Sequence, residues 1–405
     1  MTTLRNGPTP TEPVEMLDLW TRLARHRADE PVVFNESIQA WEAFRHGDVT
    51  RILSDPATFS SDMSALVPSD PDIDKIAKGN LISIDPPMHR QMRGLVSKAF
   101  TPKFVAELAP RITEVTAELL DGLAGRERFD LVSELSYPLP VIVISEMIGI
   151  PSSDRETFQR WADVLLNNEP PADEPLLDAL GDQVNAIAPT VREMGAYMLE
   201  HVKRRREHPT DDLVSALVGT QVDGRWLDDD EIVWFTALLL LAGHITTTAL
   251  LSNTLLCLDA APRVVADLRA DRALVPGMLE EVLRMRPPFT KLARLTTRDV
   301  ELSGTTIPEG QVVFAWLASA NRDESVFAHP EVFDPRRESS RQAGFGHGIH
   351  FCLGAPLARL EAKIAVNMLL DRYADIRVAP EDGIEFFDVH ALLGAKSVPV
   401  LVRPS

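Results

Sequence analysis

The sequence predicts a mainly α-helical protein with a minor β part, and three observations carry that expectation. Apolar residues recur at helical spacing over most of the chain, prolines and glycines punctuate those segments, and alternating or β-branched runs are few and short. Helical spacing covers 38–54, 90–123, 139–149, 154–165, 182–206, 228–259, 275–286 and 355–373. Strand signals are confined to 31–34, 300–303, 311–315 and 398–402, and "SGTTIPEGQVV" reads as a turn between two of them. The proline-rich "NEPPADEP" (168–175) reads as a surface loop between two helices, and residues 1–20 as an irregular N-terminal segment. A length of 405 residues alone suggests two or three domains, but no repeat and no interdomain linker interrupts the pattern.

Charge narrows the function classes. Forty-one Lys and Arg against sixty Asp and Glu leave a net charge of −19, the wrong sign for nucleic acid or for an anionic membrane surface. The start, "MTTLRNGPTPTEPVEM", has no apolar core of a signal peptide. The apolar stretches "PVIVISEMIGI" and "FTALLLLAG" are interrupted short of a membrane span, so the expectation is a cytoplasmic protein. Two cysteines make no disulfide framework; Cys257, in "NTLLCLD", reads as a core residue.

The segment 228–259 opens on "DDDE", which suits a helix N-terminus, and continues apolar on all faces, which demands burial on all faces. Gly243, His244 and Thr246 to Thr248 interrupt it with poor helix formers. Two readings stand: a core helix that tolerates some polarity, or a local opening beside a bound group.

Residues 345–354 read "FGHGIHFCLG". A zinc site built on His347, His350 and Cys352 lacks a fourth ligand, since the chain has no CxxC or HxxxH partner. A Cys/His nucleophile lacks the strand-turn-helix elbow. A thiolate ligand to haem iron meets the physical needs. Gly346 and Gly348 permit positive φ in a tight hairpin, and Phe345 offers the sulfur an apolar wall. Gly354 and Pro356 then begin a helix whose free N–H groups stabilise a thiolate at Cys352.

Phe345, Gly348, Cys352 and Gly354 fill FxxGxxxCxG, which resembles the haem-binding signature of the cytochrome P-450 monooxygenases, in their soluble bacterial branch. Other stretches follow in the family's order. "EEVLRMRPP" resembles its ExxR pair with Glu281 and Arg284, and "FDPRR" supplies Arg337 to the same network. "DPPMHRQMR" resembles the helix that gives His89 and Arg93 to a haem propionate, "KLARLTTRD" the strand that gives Arg294, and His350 the remaining propionate partner. "AGHITTT", with Ala242, Gly243 and Thr246, resembles the oxygen-activating stretch of the distal helix. The resemblance implies one triangular, mostly helical domain over 1–405, with small sheets around haem b (iron protoporphyrin IX) and Cys352 as the iron ligand.

It further implies hydroxylation or epoxidation of an apolar, medium-to-large small molecule, using dioxygen and two electrons. No flavin or nicotinamide fingerprint is fused to the chain, so NAD(P)H would act through a separate ferredoxin and ferredoxin reductase. Arg90, Lys98, Lys103 and Arg359 are candidates for a basic docking patch on the cysteine side, and the expected state is a monomer. The segments 60–83, 154–205, 289–293 and 391–396 should shape the substrate site; the composition suggests a tailored secondary metabolite such as a macrolide. One departure stands out: Ile245 occupies the position where the family usually carries an acid. Thr246 then works through water alone, or His244, another residue or a substrate hydroxyl assists. A haem protein that binds a small gas without turnover is the alternative.

Overall fold

A computed structural model describes residues 13–66, 73–166, 175–222, 225–338, 340–390 and 392–405. Helix α1 (Val14–Asp29) begins inside the stretch expected to be irregular and corrects that expectation from residue 14 on; residues 1–12 lie outside the described residues. The helical spacing over 38–54 is only half borne out. Residues Ala40–Ala43 form strand β2, paired antiparallel with β1 (Val32–Asn35), and helix α2 (His46–Ser54) follows. Pairing to a neighbouring strand overrides the local pattern here.

The long helical pattern 90–123 is three helices: α3 (Ile73–Gly79) is followed by α4 (Met88–Ala99), α5 (Pro102–Glu107) and α6 (Ala109–Asp121). Prolines 102 and 110 explain the breaks, because each sits in a first turn where its missing N–H costs nothing. Thr101 caps α5 by accepting the Phe104 N–H at 3.1 Å.

Helix α7 (Pro138–Ile148) and α8 (Arg155–Leu166) lead to α9 (Leu176–Glu207) and α10 (Leu213–Val218). The expected proline-rich loop lies, apart from Pro175, outside the described residues. Helix α11 (Asp229–Asp259) is the central element. Its capping box is closed: Asp228 accepts the Glu231 N–H at 2.8 Å, and Glu231 accepts the Asp228 N–H at 2.9 Å. Over its whole length α11 is long and apolar enough to cross a membrane, contrary to the shorter stretches read from the sequence. In this fold it is a core helix wrapped by α3, α7, α9, α15 and α13. Cys257 is buried in it, as expected.

Helices α12 (Pro262–Ala270), α13 (Val275–Met285), α14 (Leu317–Ala320) and α15 (Ala355–Arg372) complete the helical part. The main sheet runs β1-β2-β10-β7-β3, with β3 at Phe59–Ser60, β7 at Leu292–Thr296 and β10 at Val312–Ala315. A second sheet joins β4 (Arg128–Asp130), β11 (Tyr373–Val378) and β14 (Pro399–Pro404). Among the described residues three two-stranded pairs remain: β5 (Gln221–Val222) with β6 (Arg225–Trp226), β8 (Val300–Leu302) with β9 (Thr305–Ile307), and β12 (Glu385–Phe386) with β13 (Ala395–Ser397). The stretch read as a turn between strands thus contains β9 itself. Its tip is Ser303–Gly304, where both residues have positive φ. The elements that matter below are α11, the loop before α15, α4 and β7.

Candidate active site

The cysteine loop is built by its glycines. Gly346 and Gly348 have φ of +73° and +71°, the left-handed region that the sequence reading asked of them. At Gly348 a Cβ would also lie 2.4 Å from the Leu53 carbonyl oxygen, so space and conformation both demand glycine. The Cys352 N–H donates to the Phe345 carbonyl at 2.9 Å, closing the hairpin. Helix α15 starts at once, with Gly354 as N-cap and Pro356 in the first turn. The Gly354 and Ala355 amides donate to the sulfur, and Arg93 and Arg359 add positive charge. Burial outweighs them and pushes the thiol up; a metal cation held there would favour the thiolate.

Behind the loop, Glu281 and Arg284 meet face to face with both side chains fully buried. Arg284 donates to Glu281 through Nε at 2.8 Å and a terminal nitrogen at 2.9 Å. Arg337 donates to the same carboxylate at 2.9 Å and to the carbonyls of Ala328, His329 and Val332. Asn321 ties this cluster to the loop: its carbonyl accepts from Arg284 at 2.8 Å, and its side chain accepts the Ala343 N–H at 2.6 Å. The Ala343 carbonyl then accepts from Gly346 at 2.8 Å. The sequence reading missed Asn321; nothing in "ANRD" marks it.

Beside the loop, four nitrogen-bearing side chains from three elements converge. His89 and Arg93 come from α4, Arg294 from β7, where it sits opposite Val313, and His350 from the loop. The two imidazoles lie 4.4 Å apart. His350 shares a hydrogen bond of 3.0 Å with the Ser61 hydroxyl, and Arg93 donates to the Phe351 carbonyl at 2.7 Å. Arg294 donates to the Ala293 carbonyl at 2.7 Å. His89 Nε2 is buried with no hydrogen-bond partner among the described residues.

Burial, then the charges of Arg294 and His89, pushes His350 down to about 4; burial and Arg93 lower His89, and burial lowers both arginines. Asp85 is the acid that opposes them at His89, Arg294 and His350, and it accepts hydrogen bonds from Ser60 and Ser61. Donors exceed acceptors, and burial disfavours the charged form of each of the four. That is a fit for a ligand bearing carboxylates next to a cysteine-held metal. Asp85 stood in the quoted motif but carries a role the motif reading did not assign.

On α11 the residues Leu239, Ala242 and Thr246 form one strip that is not buried, in the middle of a core helix. Thr246 Oγ1 donates to the Ala242 carbonyl at 2.7 Å. Gly243 serves packing as well: a Cβ there would lie 3.1 Å from Ile144 of α7. Ile245 is buried with Ala162 and Leu392. His244 is fully buried and lies about 200° around the helix from both Ala242 and Thr246. Its Nδ1 meets the Leu240 carbonyl at 2.6 Å, and its ring stands edge-on to Tyr137, so it does not share the Thr246 strip.

A family model for Cytochrome P450 matches residues 45–400. The chain belongs to the cytochrome P450 family. It is 43% identical over 389 residues to cyclomarin C epoxidase CymV of Salinispora arenicola, covering 96% of each chain. It is 41% identical to the erythromycin C-12 hydroxylase of Saccharopolyspora erythraea, over 100% of this chain and 99% of that one. Among solved structures, a mutant of P450 EryK in complex with erythromycin B superposes with a TM-score of 0.88 at 40% identity, covering 96% of this chain and 97% of that one. CYP109E1 from Bacillus megaterium in complex with testosterone gives 0.89 at 36% identity, covering 96% and 99%. This P450 is therefore a monooxygenase with the P450 fold, and its cofactor is haem b, reduced from NAD(P)H through redox partners. Bacterial P450s of this kind take small-molecule substrates and use ferredoxin and reductase partners.

Proposed function

We propose that this P450 hydroxylates or epoxidises an apolar secondary metabolite of macrolide or similar size, with Cys352 as the iron ligand. The observation that carries the reading is the pairing of Cys352, capped by two α15 amides, with the donor-rich cluster of His89, Arg93, Arg294 and His350. Bound haem b activates dioxygen with electrons from outside the chain and delivers one oxygen atom to the substrate.

The chain's own residues do the rest. The four nitrogen side chains hold the cofactor's carboxylates, and Gly346, Gly354 and Phe345 shape the loop around the sulfur. Ala242 and Gly243 shape the α11 turn that presents Thr246, whose hydroxyl holds a proton beside the dioxygen site. With Ile245 in the acid position, Thr246 exchanges that proton with water or with a substrate hydroxyl.

The relatives named as an epoxidase of cyclomarin C and a hydroxylase of erythromycin support the tailoring role. The segments expected to shape the substrate site include residues 67–72, 167–174 and 391, which lie outside the described residues. On the cysteine side, Arg90 and Lys103 are exposed, whereas Arg359 is held by Glu280 at 2.6 and 3.0 Å. A ferredoxin docking patch would therefore rest on Arg90 and Lys103 rather than on Arg359; the Lys98 side chain is outside the described residues. We place the enzyme in the cytoplasm as a monomer.

The test has two parts. Reduced, carbonylated protein should show the far-shifted absorption of sulfur ligation, lost in Cys352→His; without that band in the loaded wild type the assignment fails. Macrolactones titrated into the ferric enzyme should shift the haem spin state, and silence across the panel would remove the substrate class.

A further inference from the structure

Two glutamates stand side by side on α13, and each grips arginine. Glu281 holds Arg284 and Arg337 in the buried cluster described above. Glu280 holds Arg359 of α15 at two points, with Nε at 2.6 Å and a terminal nitrogen at 3.0 Å. Each acid also reaches the cysteine loop through a side-chain amide. Asn321 does so for the Glu281 cluster by accepting the Ala343 N–H. Gln342 does so for Glu280: its amide donates to Glu280 at 3.1 Å, and its oxygen accepts the Gly344 N–H. The fold thus braces the loop twice, once from the interior and once from the outer side.

The outer brace places a cation beside the sulfur. The Arg359 guanidinium lies over the Phe345 ring, 4.5 Å from its centre. Phe345 opens the loop, and its carbonyl accepts the Cys352 N–H at 2.9 Å. Burial raises the Cys352 thiol, and the Arg359 charge is among those that oppose it. The Glu280 and Arg359 side chains are 25% and 38% exposed, so neither is needed to fill the core.

We propose that Glu280 is a positioning residue: it fixes the Arg359 cation over Phe345, and the balance of the two charges tunes the electron affinity of the iron held by Cys352. The proposal rests on Cys352 as the iron ligand. Groups around a metal's ligands tune the metal through charge and hydrogen bonding. One electron added to ferric iron adds negative charge. A bare cation nearby therefore favours the reduced state, a bare anion favours the oxidised one, and a closed ion pair nearly cancels.

Haem-loaded Glu280→Gln and Arg359→Gln are compared with the wild type by spectroelectrochemical titration, and the C–O stretch of the reduced, carbonylated protein is recorded in the infrared. Glu280→Gln keeps an acceptor for Arg359 but leaves its charge uncompensated. It should raise the ferrous-to-ferric ratio at fixed potential about three- to tenfold, tenfold being ~59 mV for one electron. Arg359→Gln leaves the carboxylate and should lower the ratio by a similar factor. The C–O stretch should rise in the first variant and fall in the second, because a weaker push from sulfur leaves less electron density for the bound carbon monoxide. Arg359→Lys keeps the charge and should stay nearer the wild type than Arg359→Gln.

A merely structural brace would move both Gln variants the same way, since each weakens the same contact. Shifts of one sign, no shift in either, or Arg359→Lys displaced as far as Arg359→Gln would each overturn the proposal. The sulfur-ligated carbonyl band of the wild type tests the ligand assignment by itself. With the band present, a negative result falls on Glu280 alone; with it absent, the assignment and the proposal fall together.

Discussion

Thr246 keeps its hydroxyl turned back to the Ala242 carbonyl, on a strip of α11 that is not buried. A hydroxyl in that position can give up its backbone bond and hand a proton on; an alanine cannot. In Thr246→Ala, haem should stay bound while product per electron pair falls roughly tenfold or more, the low end of what a positioned proton donor contributes. The missing electrons should reappear as peroxide. Unchanged coupling would show that Thr246 is not the donor. His89 and Arg294 belong to the other side of the cofactor. Removing one charged hydrogen bond in Arg294→Ala should cost about 1.5–3 kcal/mol, or roughly 10- to 100-fold in haem retention. His89→Ala should act in the same direction and more weakly, because burial keeps that imidazole neutral. Haem transfer to apomyoglobin measures both.

At the scale of elements, the cysteine loop depends on the buried Glu281–Arg284–Arg337 cluster that reaches it through Asn321. Truncation in Glu281→Ala strands two guanidinium groups, one wholly and one largely out of water. It should cost about 3–5 kcal/mol. The urea midpoint should drop sharply, and the fraction of protein with the sulfur-ligated carbonyl band should fall with it. If stability drops while the band survives in all remaining folded protein, the cluster supports the fold and not the loop. Much of this arrangement was legible beforehand. Glycines at fixed spacing before Cys352, and an acid and an arginine one helical turn apart, carry their geometry in their residue types. What was not legible depended on partners distant in the chain. Ala40–Ala43 became a strand because β1 and β10 flank it, and Pro102 and Pro110 cut one helical pattern into three. Asn321 and Asp85 gained their roles from neighbours that no local window contains. The side of α11 on which His244 falls, by contrast, follows from helical geometry.

The whole molecule balances buried groups of opposite titration. Burial holds His244 at about 4, and likewise lowers His26, His201 and His390, whereas it raises Glu361, in α15, to about 8. The unfolded chain takes up protons at these histidines near pH 6.5 while the folded chain does not. Stability therefore falls as pH drops below 6.5. Glu361 works the other way: unfolded, it ionises above about 4.5, but folded it keeps its proton to about 8, so it removes stability as pH rises from 4.5 to 8. Between 4.5 and 6.5, His244 offsets Glu361, and the remaining histidines tilt the balance toward a rise with pH. Above 6.5 Glu361 acts alone among these groups. The urea midpoint of the haem-loaded enzyme should thus peak near pH 6.5 and decline on both sides. Glu361→Gln keeps the shape and removes the titration. It should lift the midpoint at pH 8 relative to the wild type and flatten the alkaline limb, with little change at pH 4.5. An alkaline decline that persists in Glu361→Gln would assign the loss of stability to other groups and leave the buried carboxyl ionised in the fold.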